Sequence, residues 1–157
     1  MANLFQASAA ANLALHSMAL LAQRPGERRS ARELAATLDA SEAHLAKVLQ
    51  SLERSGLVAG TRGPAGGYRL GRDAGDISLR EIYEAIEGPL NAGSCIFSTP
   101  ICGDEECPLS GFFSRMSSRV ADKLGRTRLS DMNLKSEPAA KLHDKKRAGP
   151  KGERSKR

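Results

Sequence analysis

Cys95, Cys102 and Cys107 are the only three cysteines in the chain and fall within thirteen residues of one another. Gly93, Pro100 and Gly103 mark the stretch as a loop. An odd number of thiols cannot all pair as disulfides, and nothing upstream reads as a secretory signal that would place them in an oxidising compartment. Thiolates are soft ligands, so a metal or an iron-sulfur cluster completed by a non-cysteine ligand is the sharper expectation. The spacing Cys-x6-Cys-x4-Cys lacks the Cys-x2-4-Cys knuckle of zinc fingers and ribbons, which makes structural zinc the lesser metal alternative. Unligated, redox-reactive thiols remain open as well. Cys107 precedes Pro108, a residue suited to the first position of a helix, and the positive end of a helix favours a thiolate.

The rest of the chain must position this loop. A length of 157 residues predicts one domain, or one domain with an extended dimerisation arm and a tail. Aromatic residues make up 4% and there is no Trp, so the core must be built from Leu, Ala, Ile and Val. The apolar run Leu13 to Ala22 is broken by His16 and Ser17 and ends at Gln23 and Arg24, too short to span a bilayer. A soluble, cytoplasmic protein with no membrane partner is expected.

The net charge of +6 has a location. Residues 135 to 157 carry nine basic and three acidic side chains, so residues 1 to 134 are neutral with fifteen of each sign. Within that neutral part, residues 24 to 72 hold nine basic and five acidic side chains, and residues 73 to 134 hold six and ten. A basic segment therefore precedes an acidic one. The tail lacks apolar periodicity and is rich in Lys, Arg, Gly and Pro, which predicts disorder and at most a non-specific attraction to nucleic acid.

Leu13, Leu15, Met18, Leu20 and Leu21, embedded in Ala, predict a buried helix over Ala9 to Gln23 that Arg24-Pro25-Gly26 stops. Ser30 and Glu33 form a capping-box pair and open a short helix to about Leu38. After the turn Asp39-Ala40-Ser41, the spacing of Leu45, Val48, Leu49 and Leu52 predicts a second helix over Glu42 to Arg54, stopped at Ser55-Gly56. Two short helices across a tight turn make a helix-turn-helix, and its second helix leaves Ser41, His44, Lys47, Gln50 and Ser51 free to read a major groove. A merely solvated polar face is the plainer alternative.

Leu57-Val58-Ala59 reads as a strand, Arg62 to Gly67 as a turn, and Tyr68-Arg69-Leu70 as the returning strand. That order of elements predicts a winged helix, mainly α with a small β-hairpin. Arg62, Gly63, Gly66, Gly67 and Arg69 are the wing residues suited to DNA, since glycines let the backbone come close and Arg is drawn to a minor groove. A helix opening at Ile77 follows, with Leu79, Ile82, Tyr83 and Ile86 on one face, ended by Gly88-Pro89. Beyond the cysteine loop, a long helix from Pro108 carries Leu109, Phe112, Phe113, Met116, Val120 and Leu124 and stops near Gly125. One winged-helix unit is not expected to bury both this stripe and the first helix, so pairing with a second copy is predicted. The organisation is then a DNA-binding unit over 1–90, a cluster-binding loop over 91–107, a dimerisation helix and following segment over 108–134, and the basic tail over 135–157.

Residues Arg62-Gly63-Pro64-Ala65-Gly66-Gly67-Tyr68-Arg69-Leu70-Gly71-Arg72, followed by Leu79-Arg80-Glu81-Ile82 and by three cysteines before a long helix, resemble the IscR/NsrR family of bacterial winged-helix transcription regulators. The resemblance covers residues 9 to 130 and leaves the tail outside. It implies a homodimer on palindromic double-stranded DNA, often a repressor. It also implies a cluster, 4Fe-4S or 2Fe-2S, held by Cys95, Cys102 and Cys107, whose loss, oxidation or nitrosylation changes DNA affinity. The acidic residues Asp104, Glu105 and Glu106 are read as solvated. Where one branch has a ligand His three residues after the last cysteine, this chain has Ser110. Where the nitric-oxide-sensing branch donates an Asp from the other subunit, it has Asn12. By the same resemblance His16, one helical turn beyond Asn12, is the first candidate for the fourth ligand, and water or a small thiol is the alternative.

A cluster-free thiol regulator and a DNA-binding module with structural zinc are the competing readings. An enzyme is not expected. There is no phosphate loop, and His16, His44 and His143 fall in the first helix, the reading helix and the tail, with no catalytic grouping.

Overall fold

The computed structural model describes residues 7–63, 66–90 and 111–132. The three cysteines, Pro108, Leu109, the tip residues Pro64 and Ala65, and the basic tail lie outside the described residues. The element order is α1 (Ala9–Ala22), α2 (Ala31–Thr37), α3 (Glu42–Arg54), β1 (Val58–Thr61), β2 (Gly67–Leu70), α4 (Leu79–Glu87) and α5 (Phe112–Arg126), with short 3-10 turns at Ala74–Asp76 and Leu129–Asp131. This is the winged helix that the sequence predicts. No helix among the described residues is long and apolar enough to cross a membrane.

The helix ends follow from side chains that satisfy free backbone groups. Ser8 caps α1 by accepting the Ala11 amide at 3.0 Å, and its hydroxyl donates to Glu87 of α4. Ser30 and Glu33 close the expected capping box on α2. Ser41 caps α3, and Asp39 supplies the preceding turn at φ 51°. At α4 the helix begins at Leu79 instead of Ile77, because Ser78 and Glu81 form a second capping box. Ile77, fully buried, belongs to the extended segment before that cap.

The core is aliphatic, as the composition requires. Met18 and Leu20 of α1, Leu34 of α2, Leu45, Leu49 and Leu52 of α3, Ile82 of α4 and Leu129 are all inside. The first helix is buried, as its apolar run predicts. Ala11, Ala14, Met18, Ala19, Leu20 and Leu21 are buried within the single chain, since α1 packs against both α3 and α4. A second copy is not needed to cover that helix. The α5 stripe differs, because only Ala121 is buried while Phe112 and Val120 remain 44% and 37% exposed. After α5 the chain returns to the core: Leu129 N–H donates to the Ile77 carbonyl at 2.8 Å and Leu79 N–H to the Thr127 carbonyl at 3.0 Å.

The hairpin is antiparallel and pairs Val58 with Leu70 through to Thr61 with Gly67. It is longer than Leu57-Val58-Ala59 and Tyr68-Arg69-Leu70 alone, because Gly60, Thr61 and Gly67 join the ladder. Arg29 adds a bridge on the far side of β2, where its N–H donates to the Tyr68 carbonyl at 2.9 Å and its carbonyl accepts the Tyr68 amide at 2.8 Å. At the wing root, Arg72 reaches Glu81 at 2.7 Å.

Burial raises the Glu81 carboxyl pKa, but hydrogen bonds from the Arg72 guanidinium and from the Ser78 backbone and hydroxyl outweigh it and lower the value to about 2. A depressed folded-state pKa gives stability that is present above the ordinary carboxylate value and is lost as pH falls toward the folded value. Urea unfolding midpoints measured from pH 5 to pH 2 should therefore fall less steeply for Glu81→Gln than for the unchanged chain. Parallel slopes would remove this carboxylate from the acid response.

Candidate nucleic-acid interface

Because Leu45, Val48, Leu49 and Leu52 turn inward, the opposite side of α3 presents His44, Lys47 and Gln50 to solvent, with Ser51 half-buried beside them. Ser41 is exposed, but its hydroxyl accepts the His44 amide at 3.5 Å as the helix cap. Arg54 extends this face by one turn and donates to the Ser51 hydroxyl at 3.0 Å. Arg54 is missing from the sequence expectation, although its spacing of three and four from Ser51 and Gln50 places it on the same side. Glu42 and Glu53 are the acidic residues of α3.

On the wing, Arg62, Gly63 and Arg69 are exposed. Gly63 has φ +112° and open space where a side chain would stand, so its backbone is free for close approach. Gly66 and Gly67 face inward demands. A Cβ on Gly66 would lie 2.2 Å from the Thr61 carbonyl oxygen, and one on Gly67 would lie 2.8 Å from that of Arg29. The hairpin turn therefore requires Gly66, and the Arg29 segment beside β2 requires Gly67. Arg69 and Arg72 line a surface cleft of about 330 Å3 with Pro25, Gly26 and Leu70. Arg28 and Arg32, flanking the N-terminus of α2, are exposed basic residues that the sequence expectation also omitted.

The cysteine loop itself lies outside the described residues, as do Ser110 and the acidic triplet, but its approach is visible. Glu84 accepts the Leu90 amide at 2.9 Å and the Arg80 guanidinium at 2.8 Å. The amide first, and then Arg80, hold the Glu84 carboxyl below its ordinary pKa. Among the described residues no group of three or more His, Cys, Asp or Glu side chains forms a metal site.

Asn12 and His16 are both exposed on α1. The Asn12 amide donates to the Ala7 carbonyl at 3.2 Å. His16 Nδ1 lies 2.8 Å from the Asn12 carbonyl oxygen. A carbonyl only accepts, so Nδ1 is the donor in this contact, and in the neutral tautomer that makes it the lone pair lies on Nε2.

A sequence profile of the Rrf2 family, described as an iron-dependent transcriptional regulator, matches residues 7–134. The chain is similar to the HTH-type transcriptional regulator IscR of Xenorhabdus nematophila, at 31% identity over 116 residues, 71% of this chain and 70% of that protein. It spans 54 to 62% of the length of further bacterial IscR regulators that it matches. Among solved structures it is similar to CymR, the global cysteine regulator of B. subtilis, with a TM-score of 0.68 at 27% identity, over 82% of this chain and 95% of that one. It is also similar to IscR of T. potens, with a TM-score of 0.64 at 26% identity, over 82% and 85% of the two chains.

If the wing enters a groove of duplex DNA, Arg62→Ala should weaken binding by about 1 to 3 kcal/mol while leaving the far-ultraviolet spectrum unchanged. A salt-controlled anisotropy titration checks it, and equal affinity would exclude Arg62 from the interface.

Proposed function

Since the chain belongs to the Rrf2 family, we propose that it is a cytoplasmic, homodimeric, sequence-specific DNA-binding transcription regulator, acting as a repressor. Its operator affinity is set by an iron-sulfur cluster on Cys95, Cys102 and Cys107. The observation that carries the DNA reading is the exposed face of α3, with His44, Lys47, Gln50 and Arg54, next to a wing that carries Arg62 and Arg69. Basic and amide side chains on a helix of this width suit the major groove, and Arg on a wing suits the minor groove. Ser41, Ser51, Gly63, Gly66 and Gly67 complete the proposed surface, Gly66 and Gly67 by shaping the wing.

The dimer reading rests on α5. Phe112 and Val120 are exposed, and Phe113, Met116 and Leu124 are only half-buried along the same helix. Pairing this stripe with its counterpart in a second copy removes apolar surface from water and relates two reading helices by a two-fold axis, which a palindromic operator matches. The segment after α5 and the proposed boundaries at 90, 107 and 134 are part of this reading, with the basic tail adding non-specific attraction to DNA.

For the cluster, the donor chemistry fits. Three thiolates are joined by an imidazole whose Nε2 lone pair is available and whose ring is oriented by the Nδ1 bond to Asn12. Asn12 is the weaker candidate, because a neutral amide oxygen binds iron poorly. When bound, the cluster supplies a centre that redox change, nitric oxide or iron shortage can alter. The likeness to CymR of Staphylococcus aureus, which has been solved in an oxidised form, supports the second reading, in which the thiols act without a cluster.

Absorbance with iron and sulfide analysis on protein purified without oxygen separates these. A visible band lost in Cys102→Ala establishes the cluster, and colourless, iron-free protein leaves thiol or zinc chemistry. Val120→Glu should shift sedimentation from dimer to monomer with α-helical signal retained, and an unchanged dimer would move the interface away from α5.

A further inference from the structure

The wing is a two-stranded hairpin of four residues per strand, and its outer half has little apolar support. Val58 is buried and Ala59 half-buried, but Gly60 and Thr61 are exposed. A two-stranded hairpin with so little packing is at best marginally stable and needs other restraints to keep one orientation.

The backbone pattern shows where such a restraint acts. Both Tyr68 hydrogen-bonding groups are used by Arg29 on the far edge of β2. The opposed pair Gly60 and Tyr68 is therefore of the non-hydrogen-bonded kind, and the Gly60 N–H points away from β2 toward the open edge of β1. The group that meets it is Glu53 Oε1, at 3.2 Å, from the last turn of α3. The approach is close enough that a Cβ on Gly60 would lie 2.7 Å from that oxygen and 3.2 Å from the Tyr68 ring. The outer wing is thus tied to the helix that carries His44, Lys47 and Gln50.

We propose that Glu53 is a positioning residue for DNA recognition: by holding Gly60 it fixes the angle between α3 and the wing, and so the spacing between the major-groove bases and the minor-groove step that one subunit reads together. This rests on the DNA-binding reading above. Glu53 need not touch DNA. Its effect is on discrimination between duplexes whose two contact regions are correctly and incorrectly spaced, since a freely tilting wing accepts both.

The test uses the full chain and a duplex selected by it from a random-sequence pool, with a second duplex carrying one inserted base pair between the α3 and wing contact regions. The unchanged protein should prefer the selected duplex. Glu53→Ala should lose about five- to ten-fold on it, stay within two-fold on the inserted duplex, and so bring the ratio toward one. Glu53→Gln keeps an Oε1 acceptor for Gly60 and should restore most of the ratio. A ratio unchanged in Glu53→Ala, or a Gln variant as impaired as the Ala variant, overturns the proposal. Amide exchange without DNA gives an independent arm: Glu53→Ala should speed exchange across residues 58–61, and unaltered exchange there overturns it even if no duplex is selected. If no duplex is selected but exchange responds, the DNA reading fails and the wing restraint stands.

Discussion

Four side chains on α3 govern which part of this molecule can meet a partner. Leu45, Val48, Leu49 and Leu52 occupy one side of the helix at three- and four-residue spacing, and all four are inside. A rotation of one residue, about 100°, would place Lys47 or Gln50 in an apolar core and strand a charge or an amide without partners. The helix therefore has one orientation, and the polar face follows from it. What receives the stripe is α1, α2 and α4 together, and Ala14 and Ala19 of α1 belong to the same core, which has no Trp. Small residues here compensate for the scarcity of aromatic ones, since density is reached by proximity instead of by bulk.

Around that core, α4 distributes attachments through three glutamates spaced three apart. Glu81 holds Arg72 at the root of the wing, Glu84 holds the Leu90 amide where the chain leaves for the cysteines, and Glu87 accepts from Ser8 at the start of α1. The acidic balance seen in the second half of the sequence is thus partly local structure and not only solvated charge. The exposed Glu81–Arg72 ion pair contributes little by itself, so the value of these contacts lies in where they fix backbone. The segments they fix are those around which the proposed function is arranged.

Most of the fold could be read from the chain because its signals are local. The Ser30 and Glu33 capping box and the α3 stripe are each complete within a few residues, and each formed where expected. The helix starts at Leu79, two residues later than expected, because the Ser78 and Glu81 pair decides the cap. The burial of α1 was legible, but its packing against α3 and α4 was not, because no local pattern encodes tertiary partners. The bond from Glu53 to Gly60 was invisible for the same reason. Of the candidate site, the α3 face was legible from periodicity except for Arg54, and the exposed Arg28 and Arg32 beside α2 were overlooked. The cysteine chemistry was legible as composition, and its geometry belongs to residues outside those described.

The bridge between Ser78 and Arg128 has a consequence for variation in chain length. It ties the far ends of α4 and α5 together through two backbone hydrogen bonds, with Leu129 buried beneath them. Attachment of α5 to the core is therefore made at its packing on α4 and again beyond its C-terminal end. In a loop closed in this way, each doubling of length costs only about 0.6 kcal/mol. Insertions, deletions and altered cysteine spacing between α4 and α5 can then arise without dismantling the core, which makes this the part of the architecture most open to new sensing chemistry.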